Sequence, residues 1–262
     1  MRLTAHLHIE TNAPAPVSCV FILRPQTGSA QKIGRNDLIT SIPRPLHEYA
    51  DTYGNTCLRT IIPAGPFQID SHIVADCSDE IDVHPTAPFV PMEDLPDQVL
   101  QFVLPSRYCE SDLLTDKAKE ITASAAPGYP QAEAIRQWIK DQFKYAYGTT
   151  NSSSSARDVL GTKIGVCRDY AHAGIALCRS LDIPARMVVG YMYQLKPMDL
   201  HAWFEAFVGG RWYTFDATQS QPKGNRIVIA YGRDAADVAI ATHFIDLGKM
   251  QLRVDVQASD PA

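Results

Sequence analysis

The stretch His201-Ala-Trp-Phe-Glu-Ala-Phe-Val-Gly-Gly-Arg-Trp-Tyr-Thr-Phe-Asp216 consists of two strand-like segments joined by a tight turn. Gly209-Gly210 is a two-residue hairpin signal of the primed type, and such a turn sets the register of the two strands. Because side chains alternate along a strand, His201 and Asp216 project from the same face. They become diagonal neighbours about 7–8 Å apart at the backbone, within reach of a hydrogen bond between imidazole and carboxylate. The hairpin therefore predicts a base and the acid that orients it.

A helix is predicted upstream, over residues 167–181, because small and apolar residues recur there at helical spacing and Pro184 bars its continuation. Cys167 stands at the first turn of this helix, on its buried side. The partial positive charge and unpaired N–H groups of a helix N-terminus favour a thiolate over a thiol. A lone cysteine or a lone His–Asp pair is more often structural, but the two together indicate a nucleophile with its base.

These three residues predict covalent catalysis at a carbonyl group. Cys167 attacks the carbonyl carbon, and His201 takes the thiol proton and later protonates the leaving amine. Asp216 holds the imidazole ring and stabilises its protonated form. The Cys167 backbone N–H, at a helix start, is a natural oxyanion donor.

Three aromatic residues are candidates for a second oxyanion donor, and each is more often a packing residue: Tyr145, Tyr147 and Trp203. We expect Trp203 to cover the ring of His201 and limit its contact with water, although a pure core role is nearly as compatible with the pattern. Tyr147 remains a substrate-binding candidate.

Two charged residues, Arg168 and Asp169, directly follow the nucleophile. They either bind substrate or form ion pairs with the charged side chains of residues 233–237. Structural pairing is the favoured interpretation.

The rest of the chain predicts an α+β fold, since helices precede an antiparallel run of strands. Residues 1–105 are β-rich, with alternation over residues 3–10, further strand candidates and a turn at Asp51–Asn55. A proline cluster breaks regular structure between 84 and 105. We therefore predict an N-terminal β-sandwich-like domain over 1–105 and a catalytic domain over 106–262, which includes a last strand at about 250–257.

Composition excludes several classes of function. The 262 residues carry 24 Lys and Arg against 29 Asp and Glu, a net charge of −5, which argues against a nucleic-acid partner. No apolar run is long enough to span a membrane, and the start has no apolar core of a secretory signal. Because no export signal is recognised, we expect the six cysteines to be reduced thiols and the protein to be cytoplasmic.

Neither a cofactor nor a metal is predicted. The cysteines have no zinc-ligand spacing, and no acidic string matches a calcium loop. His6 and His8 share one strand face and could chelate a metal, but two histidines on an open strand more often face solvent.

Several motifs resemble those of the bacterial transglutaminase-like superfamily, whose members are often called cysteine proteases. Gly165-Val-Cys-Arg-Asp-Tyr-Ala-His172 is similar to the nucleophile motif of that family. The resemblance implies a papain-like transglutaminase core behind an N-terminal β module, and it carries the catalytic roles onto Cys167, His201 and Asp216. The other matching segments are Leu181–Tyr191, His201–Trp203, Trp212–Asp216, Gly232–Val238 and the turn Asp51–Asn55.

The sequence thus predicts a thiol-dependent enzyme that acts on amide bonds through an acyl-cysteine intermediate. Hydrolysis of a peptide or isopeptide amide in a peptide or protein substrate is the favoured reaction. Acyl transfer to an amine, including an arylamine, and a non-catalytic binding module are the alternatives. The oligomeric state stays open.

Overall fold

The computed structural model describes residues 1–259, which form fourteen strands and five α-helices. The strands are β1 (Arg2–Ala13), β2 (Val17–Arg24), β3 (Gln31–Thr40), β4 (His47–Ala50), β5 (Thr56–Ile62), β6 (Gly65–Cys77), β7 (Lys144–Tyr145), β8 (Ile164–Gly165), β9 (Ala185–Met192), β10 (His201–Val208), β11 (Arg211–Phe215), β12 (Arg226–Gly232), β13 (Ala241–His243) and β14 (Gln251–Ala258). The helices are α1 (Asp97–Leu100), α2 (Thr115–Ile121), α3 (Tyr129–Gln142), α4 (Ala156–Thr162) and α5 (Cys167–Arg179). Within residues 1–259, no helix combines the length and the apolar character that a membrane crossing requires.

Two antiparallel four-stranded sheets make up the N-terminal part, as the β-rich sequence predicts. Their strand orders are β14-β1-β6-β3 and β13-β2-β5-β4. In β1, Leu3, Leu7 and Ile9 are buried while His6 and His8 face the other side, which is the alternation expected of a half-buried strand. Each large apolar side chain buried in this way contributes about 1.5–3 kcal/mol of transfer free energy.

The C-terminal strands β13 and β14 lie in the two N-terminal sheets. Residues 241–258 were assigned to the catalytic domain, but β13 pairs with β2 and β14 pairs with β1. Strand pairing between distant segments leaves no local signal in the sequence, because any strand with a suitable apolar face can complete an open sheet edge. The first and last strands of the described residues, β1 and β14, are therefore neighbours in one sheet.

The part of the chain that carries His201 and Asp216 is built on a third antiparallel sheet, with the order β11-β10-β9-β12. The observed register of its central hairpin pairs Phe207 with Trp212 and Glu205 with Thr214. This register is the one that the Gly209-Gly210 turn predicts, and both glycines have positive φ values of 57° and 84°.

Helix α5 lies directly on this sheet. A Cβ atom on Gly174 would come within 2.4 Å of the Phe204 ring, so the close approach requires a glycine. The predicted helix has one buried face, whereas in the structure residues 169–179 are buried all round. The reason is that α3 and α4 cover the side that faces away from the sheet.

The N-terminal part contacts this third sheet along its edge strand, β12. The Asn55 amide donates to the carbonyl of Tyr231 at 2.7 Å and accepts from its N–H at 2.8 Å. Gln31 makes the same pair of bonds to Val228, at 2.9 and 2.7 Å. Two side chains thus satisfy backbone groups that an edge strand would otherwise leave unpaired.

The prediction for residues 84–105 is wrong. The proline cluster between 84 and 105 was expected to exclude regular elements, but α1 and a 3-10 turn at Met92–Asp94 form there. Pro96 and Pro91 stand immediately before these two elements, where a missing N–H removes no intrahelical bond.

Candidate active site

Cys167 is the first residue of α5, and the carboxylate of Asp169 holds this helix start in place. Asp169 is fully buried and accepts hydrogen bonds from the Val166 N–H at 2.9 Å and from the Thr150 hydroxyl at 2.6 Å. An acid that reaches back to the residue before its own helix satisfies one unpaired backbone donor. The contact fixes the turn that presents Cys167.

Arg168 and Asp169 do not pair with residues 233–237, which corrects the favoured sequence interpretation. Arg168 contacts Asp169 at 3.0 Å and the carbonyl of Asn151 at 2.8 Å. Within residues 233–237, Arg233 pairs instead with Asp237 at 3.0 Å. Both residues therefore stabilise the start of α5, and Arg168 connects this helix start to the loop at 150–151.

Gly165 is required by this same arrangement. A Cβ atom at this position would lie 2.7 Å from the Cβ of Asp169 and 2.8 Å from its Oδ2 atom. Two atoms cannot approach so closely, so any larger residue displaces the capping carboxylate. The glycine is explained by close approach, since its φ is not in the left-handed region.

His201 and Asp216 meet as the hairpin register predicts. His201 Nε2 lies 2.7 Å from Asp216 Oδ2, and both side chains are almost fully buried. Asp216 also accepts from Thr218 through its other oxygen, at 2.7 Å from the hydroxyl and 3.0 Å from the backbone N–H. The carboxylate is therefore held rigidly against the imidazole.

The environment shifts the pKa values of both groups. Burial alone lowers the pKa of His201, but the charge and hydrogen bond of Asp216 and a hydrogen bond to the Cys167 thiol raise it to about 9. Burial of Asp216 acts to raise its pKa, and the nearby charges of His201 and Arg226 outweigh this and hold it well below its usual range. The imidazole is therefore protonated and the carboxylate ionised at neutral pH.

The Cys167 thiol completes the arrangement. The thiol adjoins the imidazole of His201, since Cys167 is among the groups that raise the pKa of that ring. Cys167 is partly accessible to solvent, whereas the five other cysteines of the chain are buried. The structure thus brings Cys167, His201 and Asp216 together, as the predicted roles of nucleophile, base and orienting acid require.

Trp203 lies between the histidine and a residue that the sequence analysis missed, Arg226. The rings of Trp203 and His201 are 5.8 Å apart, and the Arg226 guanidinium lies 4.7 Å from the centre of the indole. Arg226 donates to Asp216 Oδ2 at 2.9 Å and to the Lys223 carbonyl at 2.9 Å. Nothing near Arg226 in the sequence signals this contact, because it depends on β12 joining the sheet beside β9.

Of the two tyrosines that the sequence makes candidates, Tyr145 adjoins Cys167, and Tyr147 packs against Tyr145. Burial and the Cys167 thiol, followed by Tyr147, raise the pKa of the Tyr145 hydroxyl, while the Cys167 backbone N–H acts to lower it. Tyr147 packs edge-on against Tyr145, with 5.5 Å between the rings, and is 55% exposed. The two rings form an aromatic wall beside Cys167.

Comparison with known proteins assigns the family. A family model described as the transglutaminase-like superfamily matches residues 115–217. A solved structure from Cytophaga hutchinsonii, described as a "putative cysteine protease", is 35% identical, covers 100% of this chain and 92% of that chain, and superposes with a TM-score of 0.91. The chain belongs to the transglutaminase-like superfamily.

Mycobacterial proteins are also similar over part of their length. An uncharacterized protein of Mycobacterium leprae is 35% identical over 115 residues, which are 40% of this chain and 41% of that protein. An uncharacterized protein of Mycobacterium tuberculosis is 33% identical over 144 residues, which are 48% and 46% of the two chains. These alignments span less than half the length of the mycobacterial relatives.

In this transglutaminase-like protein, the C-terminal motif Gly232–Val238 has a structural position behind the nucleophile helix. Asp234 accepts from the Tyr108 N–H at 2.8 Å, and the Ala235 N–H donates to His172 Nε2 at 3.1 Å. Burial lowers the pKa of His172 to about 4, so its ring is neutral. The motif therefore positions α5 and does not reach the reacting groups.

Family membership and the fold support a thiol-dependent enzyme acting on amide bonds. The catalytic roles of Cys167, His201 and Asp216 stay predictions that their geometry fits. In residues 1–259, the one group of three closely spaced metal-ligand atoms is that of His6, Asp70 and His72, in the N-terminal sheet.

Proposed function

We propose that this transglutaminase-like protein hydrolyses a peptide or isopeptide amide through an acyl-cysteine intermediate. The observation that carries the proposal is the buried pair of His201 and Asp216, 2.7 Å apart, together with the partly accessible Cys167 at the start of α5, which is among the groups that raise the pKa of the imidazole. A protonated imidazole beside a thiol stabilises a thiolate, the reactive form of cysteine.

The proposed reaction has two halves. The Cys167 thiolate adds to the amide carbon, and the carbonyl oxygen becomes an oxyanion beside the Cys167 N–H. The tetrahedral intermediate collapses as His201 gives its proton to the amine nitrogen, the C–N bond breaks and the amine leaves. Neutral His201 then takes a proton from water, which attacks the thioester and releases the carboxylic acid and the thiol.

The surroundings of Cys167 support a chain-like substrate. The nucleophile is partly accessible at the surface, and the aromatic wall of Tyr145 and Tyr147 beside it is 42% and 55% exposed. Exposed tyrosine rings give apolar contact area with a polar edge, which suits a peptide. Water is the most abundant acceptor for the acyl group, so hydrolysis is the proposed outcome.

The proposal is tested with a mixed library of peptidyl aminomethylcoumarin amides in water enriched in oxygen-18, with and without glycine methyl ester. Hydrolysis releases coumarin and places one heavy oxygen in the new carboxylate. Transfer releases coumarin but gives a peptide amide of the added amine. Cys167→Ala is the control and must release no coumarin. Equal release by wild type and Cys167→Ala contradicts the proposed nucleophile, and amide products in place of acid contradict hydrolysis.

A further inference from the structure

Three histidines and one aspartate cluster on the solvent side of the sheet β14-β1-β6-β3, outside the site described above. His6 and His8 lie two residues apart on β1, so their side chains share a face. On β6, His72 is directly opposite His6 and Asp70 is directly opposite His8. The four residues therefore form a square on two neighbouring strands.

Two of the three histidines contact the same oxygen atom of Asp70. Asp70 Oδ1 lies 2.9 Å from His6 Nε2 and 2.8 Å from His8 Nδ1. The rings of His6 and His72 are nearly parallel, with 4.3 Å between their centres. One potential ligand atom from each of His6, Asp70 and His72 lies within 4.8 Å of the others.

We propose that His6, Asp70 and His72 bind a divalent transition-metal ion, with zinc as the preferred ion. Imidazole and carboxylate are zinc ligands, and three protein ligands with a water in the fourth position make an open tetrahedral site. Calcium and magnesium prefer sets made of oxygen atoms, so they do not fit this cluster.

The geometry needs only side-chain rotation to close around an ion. Ligand bonds of about 2.0–2.2 Å place tetrahedral ligand atoms about 3.4 Å apart. The His6–Asp70 pair, now 2.9 Å apart, must therefore open slightly, while the three ligand atoms already lie within 4.8 Å of one another. Strands β1 and β6 are the two central strands of the sheet, so the backbone that carries the ligands is rigid. His6 must present the lone pair of Nε2, with its proton on Nδ1.

His8 has a supporting role in this site. It keeps its hydrogen bond to Asp70 Oδ1 and so orients the carboxylate towards the ion, as outer partners of metal ligands commonly do. On the neighbouring strands, Asp255 lies opposite His6 and Asp37 lies opposite His72. Asp255 adds negative charge beside a bound cation, whereas the charge of Asp37 is paired with Arg35.

The test is a titration of the full chain with zinc chloride, after removal of metals with a chelator. It is performed in a Cys167→Ser background, so that the thiol beside His201 cannot bind the ion. We expect one equivalent of saturable binding. His6→Gln, Asp70→Asn and His72→Gln should each weaken it by at least about tenfold, and His8→Gln should weaken it less.

The matched control is His47→Gln, because His47 is an exposed histidine on β4 in the other sheet. It should leave zinc affinity unchanged. Cobalt(II) gives a second readout, a visible absorption typical of tetrahedral coordination, which His72→Gln should abolish. Circular dichroism checks that each variant is folded. Absence of saturable binding, or binding that Asp70→Asn and His72→Gln both leave unchanged, overturns the proposal.

Discussion

Arg226 and His201 bind the same oxygen of one carboxylate. The Arg226 Nη2 atom lies 2.9 Å from Asp216 Oδ2, and His201 Nε2 lies 2.7 Å from it. All three side chains are buried. Two positive groups thus share one negative charge away from water, and this keeps Asp216 ionised while it orients the imidazole.

Replacement of this arginine tests the shared contact. Arg226→Gln should destabilise the fold by about 3–5 kcal/mol, because removing one partner leaves a buried charge undercompensated. Loss of a positive charge near the imidazole should also raise the pKa of His201. Urea unfolding measures the first effect, and the alkaline limb of the pH–rate profile measures the second. Arg226→Lys keeps the positive charge and should leave the alkaline limb of the pH–rate profile where it is in wild type. An equal shift of that limb in both variants would contradict the electrostatic account.

The pKa of His201 predicts an alkaline limit to activity. His201 must be protonated to give its proton to the leaving amine, and its pKa is raised to about 9. The rate of amide cleavage should therefore fall as the pH rises through about 9. A rate that stays constant up to pH 11 would show that the imidazole is not the acid.

The same shift has a consequence for stability. A histidine whose pKa rises from 6.5 in the unfolded chain to about 9 in the folded chain stabilises the fold fully below pH 6.5. That contribution is lost as the pH rises through about 9. Urea unfolding at pH 6 and pH 10 should show this loss in wild type, and a smaller one in His201→Gln. Identical losses in the two proteins would argue against it.

Gly165 should be intolerant of substitution. Gly165→Ala places a methyl group against Asp169, which must move from its capping position, and we expect a cost of about 1–3 kcal/mol together with reduced activity. Gly161→Ala is the matched control, since a Cβ atom there meets nothing within 4 Å. It lies in α4 and should be neutral or slightly stabilising. Thermal unfolding and turnover compare the two, and equal behaviour would refute the close-contact argument.

Asn55 should be important for stability although it lies far along the chain from the catalytic residues. Asn55→Ala leaves the N–H and the carbonyl of Tyr231 without their partner, which costs about 2–4 kcal/mol for two backbone groups. Gln68→Ala, at an exposed position on β6, is the control and should change stability by less than about 0.5 kcal/mol. Urea unfolding distinguishes them. If both variants match wild type, the edge contact contributes nothing measurable.

Local patterns in the sequence were sufficient to predict the hairpin β10–β11 and the helix α5. A Gly-Gly turn determines the register of its own two strands, so the meeting of His201 and Asp216 followed from spacing alone. The start of α5 at Cys167 followed from helical periodicity in the same way.

Contacts between distant segments were not accessible to the same reasoning. Arg226 reaches Asp216 because β12 joins the sheet on the far side of β9, and nothing near Arg226 in the chain indicates that. Asp70 and His72 lie on β6, a strand that the sequence analysis did not identify, so two histidines on β1 looked isolated. The capping role of Asp169 was readable, since an acid at the third position of a helix is a known capping signal.

The most direct test of the central claim is the rate at which iodoacetamide alkylates Cys167 near neutral pH, mapped by mass spectrometry in wild type and His201→Gln. Exposure of the cysteine is the same in both proteins, so the comparison isolates the imidazole. The account predicts rapid labelling of Cys167 in wild type and a rate lower by at least about tenfold in His201→Gln. Equal rates in the two proteins would contradict it.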